Sequence, residues 1–277
     1  MEFYNIKKEL KLTDIITLTG FSRGALRTGF IIYPYKIFLD SGIPFQVEPS
    51  LILITHGHQD HVDAIYSNLM NNEKKKIEVI ASKNLIWLLQ DHLNSCKSVN
   101  VCKKSIFNNW TPLCISPLIK NHDIIINNNK ILIEAYYLEH EVESLGYGVS
   151  EIRNKLLEIY KDKTKKELIE IKKVYKLTEE KKIPILFFCG DTNNTILSTL
   201  PFNDFPIFII EATFLDDKHI NDAYEKKHMH INDLKPYFIN YPKTKFILIH
   251  FSLKYKIEEI KAYQKIFSIY ENVIFWI

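Results

Sequence analysis

The stretch Thr55-His56-Gly57-His58-Gln59-Asp60-His61 limits what this chain can fold into more than any other. Three imidazoles and a carboxylate fall within six residues, directly after the apolar run Leu51-Ile52-Leu53-Ile54. Such a run reads as a buried strand, and a buried strand that ends in four metal-type ligands has little structural purpose without a cation. His56 and His58 alternate along an extended backbone and so point the same way, while Asp60 and His61 follow as the chain turns. Nitrogen and oxygen donors of this kind suit zinc, iron or manganese. A solvated histidine-rich loop is the plainer alternative, but such loops do not usually grow out of a buried strand. The pattern points to a metal-dependent hydrolase.

Length and composition leave room for that. At 277 residues the chain could form one large α/β domain or two small ones, and 46% hydrophobic residues supply a sizeable core. No low-complexity linker and no internal repeat is visible, so a single domain spanning 1–277 is expected. The net charge of +3 is too small to imply a polyanionic partner by itself. Cys96, Cys102, Cys114 and Cys189 show no CxxC pairing, and Cys189 lies in an apolar run as a small buried side chain. A reduced intracellular compartment follows. The first residues lack the apolar core of a signal peptide and the Arg/Ser-rich pattern of a transit peptide. No apolar run approaches the ~20 residues that span a bilayer. The expectation is a cytoplasmic protein without a membrane partner.

Short β-branched or aromatic runs separated by Gly and Pro predict strands at 15–19, 29–33, 36–40 and 51–55, then near 113–118, 122–126 and 130–138. Residues 83–94 read as a helix with Leu85, Leu88, Leu89 and Leu93 on one face. Later strands are expected at 183–189, 206–210 and 245–249, and helices at 231–240 and 256–267. Strands preceding helices indicate α/β packing with helices outside the sheets. Residues 151–182 differ, with eleven Lys/Arg against seven Asp/Glu. An apolar stripe at Leu156, Leu157, Ile159, Tyr160, Leu168, Ile169 and Ile171 predicts a Lys-rich helical arm. Either this is a pair of amphipathic surface helices or a basic arm that meets phosphates.

Two metal ions need more than four ligands, and candidates follow later apolar runs. His140 follows the run 131–138, Asp191 follows Phe187-Phe188-Cys189-Gly190, and His250 follows Phe246-Ile247-Leu248-Ile249. His56, His58 and His140 can hold one zinc, Asp60, His61 and His250 the other, and Asp191 can bridge them with its two oxygens. Such a pair shares a hydroxide and clamps a phosphodiester during in-line attack. Asp60 can also orient that hydroxide or accept its proton.

These residues resemble the metallo-β-lactamase superfamily, and more closely its ribonuclease Z branch. The narrower resemblance rests on His140-x-x-x-Ser144-x-Gly146-Tyr147, on Glu211-Ala212-Thr213-Phe214, on His228-Met229-His230-Ile231 and on His250-Phe251-Ser252-Leu253-Lys254-Tyr255. Asp40 matches an aspartate that supports the metal loop. The blocks run in family order from about residue 14 to 265. The resemblance implies a four-layer αββα sandwich of two mixed sheets flanked by helices. It also implies an endonuclease that removes 3′ trailers from precursor tRNA with two zinc ions, manganese or iron being possible, and a homodimer as the working form. Glu211 and a histidine, His228 or His230, would form the general-acid pair. The resemblance puts His228 in that slot and His230 near a helix start. A carboxylate-bound histidine would protonate a 3′-alkoxide that otherwise leaves poorly. Ser144, Ser252 and Lys254 would contact substrate.

The chain also departs from the family pattern. Lys254 stands where Arg is usual, which keeps charge and loses a bidentate fork. The acidic cluster usual after Asp40 reads Ser-Gly-Ile-Pro, and the long Gly/Pro-rich arm of many bacterial members is replaced by the Lys-rich 151–182 segment. Gly20 to Arg27 is not a phosphate-binding loop of the Walker kind, since no Gly-Lys-Ser/Thr follows. Arg23 and Arg27 could still contact RNA phosphates. His92, His122 and His219 match no motif and read as surface or packing residues. A small-molecule hydrolase of the same fold, a thioesterase or lactonase, would share all seven ligands but would need neither the basic arm nor the Glu–His pair. A non-catalytic RNA-binding relative would be expected to have lost ligands, and none is missing here.

Overall fold

Leu51 and Leu53 pack into one hydrophobic cluster while Ile52 and Ile54 pack into another, and that alternation explains the layering. A strand with apolar side chains on both faces must be covered on both. The computed structural model describes residues 9–70, 76–117 and 121–277. Its first sheet contains β1 (Glu9–Lys11), β2 (Thr17–Arg23), β3 (Arg27–Tyr33), β4 (Ile37–Leu39), β5 (Leu51–Leu53), β6 (Ile77–Ala81) and β7 (Trp110–Cys114), paired in that order. Its second contains β8 (Asn121–Ile126), β9 (Asn129–Leu138), β10 (Ser144–Leu156), β11 (Thr178–Phe188), β12 (Ile207–Glu211), β13 (Lys245–Ile249) and β14 (Val273–Phe275), again in chain order.

Both sheets repeat one pattern. In each, the first four strands pair antiparallel and the last three join in parallel. The chain therefore carries a topological repeat that its sequence does not show. Between the sheets, Leu18, Phe30, Leu53, Ile133, Phe188 and Ile247 share one core. Helices α1 (Gln59–Val62), α2 (Ile65–Met70) and α3 (Lys83–Asn100) follow strands of the first sheet. Ile65 of α2 and Leu85, Leu89 and Leu93 of α3 cover the outer face of that sheet. The second sheet is followed by α4 (Lys165–Lys172), α5 (Ile220–Glu225), α6 (Ile231–Asn240) and α7 (Ile257–Ile266), of which α6 and α7 send Leu234, Phe238 and Ile260 onto its outer face. The result is the αββα sandwich that the sequence predicts. Each fully buried Leu, Ile or Phe in these three clusters contributes about 1.5–3 kcal/mol.

Two expectations need correction. The strand placed near 113–118 lies at Trp110–Cys114, and residue 118 is outside the described residues. The Lys-rich 151–182 segment is not a helical arm. It is the outward extension of β10 and β11, paired from Glu151↔Ile183 to Leu156↔Thr178, with a single turn of 3-10 helix at Glu158–Tyr160 and the short helix α4 at its tip. Thr164 and Glu167 cap α4 reciprocally. No residue of the supposed apolar stripe is fully buried, and Ile159 is 73% and Ile169 61% exposed. Strand structure is set by the backbone pairing of β10 with β11, and ion pairs such as Arg153–Glu151 and Lys181–Glu179 run along its strands.

Candidate metal centre and the histidine beside it

The chain leaves β4 and β5 at the same end of the first sheet, and a buried carboxylate organises that end. Asp40, held at a left-handed φ of 57°, accepts the Thr55 backbone N–H at 2.8 Å and the Thr55 hydroxyl at 3.0 Å. Its other oxygen accepts Nδ1–H of His61 at 2.7 Å. The Thr55 oxygen in turn accepts Nδ1–H of His56 at 3.0 Å. Burial pushes the Asp40 pKa up, and the adjoining His61 partly offsets this. With Nδ1 committed as donor, Nε2 of both His56 and His61 carries a lone pair toward the site. Gly42 permits the crowding, since a Cβ there would lie 1.8 Å from the Asp60 carbonyl oxygen.

The second sheet brings its groups to the same end. His140 follows β9 and donates Nδ1–H to the Lys227 carbonyl at 3.0 Å. Asp191 follows β11, where a Cβ on Gly190 would sit 2.6 Å from Cβ of Thr55 in the facing sheet. His250 follows β13 at a left-handed φ of 64°. Its Nδ1–H donates to the Thr213 hydroxyl at 2.9 Å, and its backbone N–H donates to Ser22 Oγ on β2 at 3.1 Å.

The acceptor atoms then face one another. His58 Nδ1 lies 3.3 Å from His140 Nε2, and His61 Nε2 lies 3.4 Å from His250 Nε2. One Asp191 oxygen is 3.3 Å from His250 Nε2, 3.5 Å from His61 Nε2 and 3.8 Å from His56 Nε2. Asp60 reaches His250 Nε2 at 3.3 Å. His56 Nε2 is fully buried with no hydrogen-bond partner. Opposed lone pairs and an orphaned buried nitrogen are costly unless a cation draws them together. The residues therefore fit a divalent metal. They fall into the groups His56, His58, His140, Asp191 and Asp60, His61, His250, each with ligand atoms within 4.8 Å of one another. Burial works against a charged Asp191, but His250, His61 and His56 hold its pKa well below the usual carboxylate range.

Beside this cluster stands a second buried carboxylate. Glu211 ends β12 and accepts from the backbone of Thr192 at 2.7 Å and of Met229 at 3.1 Å, and from the Thr213 hydroxyl. Its fourth donor is Nδ1–H of His228, at 2.9 Å. Burial disfavours a charged imidazole there, yet Glu211 overrides it and raises the His228 pKa to about 9. The ring of His228 lies 5.0 Å from that of His140 and 5.4 Å from that of His250. Its free nitrogen, Nε2, is the one able to meet a substrate.

Other expected site residues are placed differently. His230 does not pair with Glu211. Its Nδ1 accepts the Asn232 N–H as the N-cap of α6 and its Nε2–H donates to the Asp216 carbonyl at 3.1 Å, so both nitrogens are spent on structure. Arg23 is buried and donates to the carbonyls of Ser252 and Tyr255, which removes it from any phosphate. Ser144 is fully buried with its hydroxyl on the Asp191 carbonyl at 3.1 Å, so it positions a ligand and cannot touch substrate. Arg27 is part-exposed and paired with Asp63. Ser252 Oγ accepts the Lys254 N–H, and exposed Lys254 pairs with Asp222 over the Phe214 ring. His219, read as surface or packing, joins that rim through Asp222 at 2.8 Å and Lys254 at 3.5 Å. Its spacing of three from Asp222 at the start of α5 was the signal available.

No protein-family model matches the chain. Among characterised proteins it is similar to tRNase Z TRZ1 of Arabidopsis thaliana, 23% identical over 269 residues covering 92% of each chain. It is also similar to the chloroplastic tRNase Z TRZ2 of that plant, 27% identical over 258 residues, 88% of this chain and 70% of the relative. Among solved structures, the metallo-β-lactamase fold protein YhfI from Bacillus subtilis superposes with a TM-score of 0.61 at 13% identity, covering 95% and 96% of the two chains. The short form of human tRNase Z gives 0.57 at 15% identity, covering 94% and 95%. At these identities the solved structures speak for the fold alone.

Proposed function

We infer that this chain, a member of the ribonuclease Z family within the metallo-β-lactamase superfamily, is a metal-dependent endoribonuclease that removes 3′ trailers from precursor tRNA. The observation that carries the reading is His228, anchored on buried Glu211 and facing the ligand cluster from outside it. We assign two zinc ions, replaceable by manganese or iron, with His56, His58 and His140 holding one, Asp60, His61 and His250 the other, and Asp191 between them. Bound there, the metals supply an acidified water and positive charge against the phosphodiester oxygens.

The chain supplies the rest. Asp60 orients the attacking water or accepts its proton. Glu211 fixes the His228 tautomer, so that Nε2–H gives a proton to the 3′-oxygen as it leaves. The product tRNA keeps a 3′-hydroxyl and the trailer a 5′-phosphate. On the ribbon formed by β10 and β11, Lys155, Lys165, Lys166, Lys172 and Lys176 have no carboxylate within 4 Å among the described residues. They are free for RNA phosphates, while Arg27 and Lys254 would reach a phosphate only by giving up Asp63 and Asp222. The reading further takes a second copy of the chain as the holder of the tRNA and the cytoplasm as its compartment. No helix among the described residues is long and apolar enough to cross a membrane. A thioesterase or lactonase would use the same ligands but leaves the Glu211–His228 pair and the cationic ribbon without a task.

The test is incubation of the zinc-loaded protein with a 3′-extended precursor tRNA. Cleavage after the discriminator nucleotide is expected, falling to background in Asp191→Ala. Turnover of a lactone or thioester with the precursor left intact would sink the reading.

A further inference from the structure

Beside His58 the surface opens into a cavity of about 350 Å³ that the ligand cluster leaves empty. That volume is within the range of small-ligand sites, roughly 300–1,000 Å³. Its walls are aliphatic, with Leu85 and Leu88 from one face of α3 opposite Val142 from the loop after β9. Leu88 is 65% and Val142 41% exposed, so apolar side chains from two elements of the lining are left in solvent together. One edge is polar, where Asn84 Nδ2 reaches Glu143 Oε2 at 3.3 Å. Apolar walls with a hydrogen-bonding edge suit a flat heterocycle, which stacks on its faces and is read at its rim.

The cavity's place in the site says which one. The rings of His58 and His228 each lie 5.0 Å from that of His140. His228 marks the side on which the 3′-oxygen departs with the tRNA body. The cavity is lined by His58 and not by His228. We propose that it holds the base of the first trailer nucleotide, whose 5′-phosphate is the one cleaved. This rests on the tRNA-processing reading above and adds to it a subsite on the trailer side, built by α3 and the loop carrying Glu143.

Binding of the trailer product tests it without turnover. Two short RNAs with a 5′-phosphate, one with its first base and one abasic there, are titrated against the zinc-loaded protein. The abasic RNA is expected to bind about fivefold more weakly. Leu88→Ser, on the surface and harmless to folding, is expected to weaken the intact RNA by a similar factor and leave the abasic one unchanged. Equal affinity for the two RNAs, or a Leu88→Ser loss shared by both, overturns the proposal. A protein that cuts precursor tRNA yet treats the two RNAs alike loses the subsite and keeps the reaction. One that separates the RNAs but cuts no precursor loses the reaction and keeps the subsite.

Discussion

The two halves of the molecule share a strand plan and use it differently. Each sheet ends in parallel strands whose following loops meet at the site. After β4 comes Asp40 and after β11 comes Asp191; after β5 come Thr55 and the histidine cluster, and β12 ends at Glu211 with Thr213 two residues on. The first half puts four candidate ligands on one loop and buries a carboxylate beneath them. The second half spreads its ligands over three loops and spends its buried carboxylate on His228. A common scaffold thus fixes where groups arrive, while loop content decides, on the proposed function, whether a half is suited to hold metal or to move a proton.

That contrast can be broken most sharply at His228, held by Glu211, and at Asp40. His228→Ala is expected to lower kcat by about 10²–10⁴-fold with metal content unchanged. If metal were lost instead, His228 would be a ligand, as its nearness to Asp191 and His250 allows. Asp40→Asn, the counterpart change in the first half, is expected to weaken metal affinity about 10–100-fold, with activity recovered in excess metal. Equilibrium dialysis beside steady-state rates separates the two outcomes.

The ribbon on the second half has no counterpart on the first. Neutralising Lys165, Lys166 and Lys172 together is expected to raise KM for precursor tRNA and cut the slope of log affinity against log salt by about 2–3, leaving kcat intact. An unchanged slope would mark the ribbon as a solvated face. The smallest effect belongs to His230→Ala. Losing an N-cap and one further hydrogen bond should cost about 1–2 kcal/mol of stability. A thermal or denaturant melt reads this, with kcat close to wild type at a temperature where the variant is folded.

The legibility of the sequence follows the same division. Thr55 to His61 could be read because a two-sided apolar strand announces its end and the ligands come in one run. His140, Asp191 and His250 could be read because each directly follows a buried strand. The choice between His228 and His230 stayed open because they lie two residues apart in extended chain, and only the turn into α6 separates their roles. The ribbon misled because, beyond Ile152, β10 and β11 pair only with each other. With both faces in water there is no period of two to detect, and Lys/Glu spacing imitates a helix. Arg23 and Ser144 looked like substrate contacts because their partners, Tyr255 and Asp191, are distant in sequence.

Trp276 donates its indole N–H to the carbonyl of Gly20, at 3.2 Å, tying the end of β14 to β2. With His250 resting on Ser22 at a separation of 228 residues, β2 of the first sheet is held at two points by the last strands of the second. Contacts this far apart along the chain incur loop-closure entropy before they repay it, so the seam that steadies the His250 loop should be among the last parts of the fold to set.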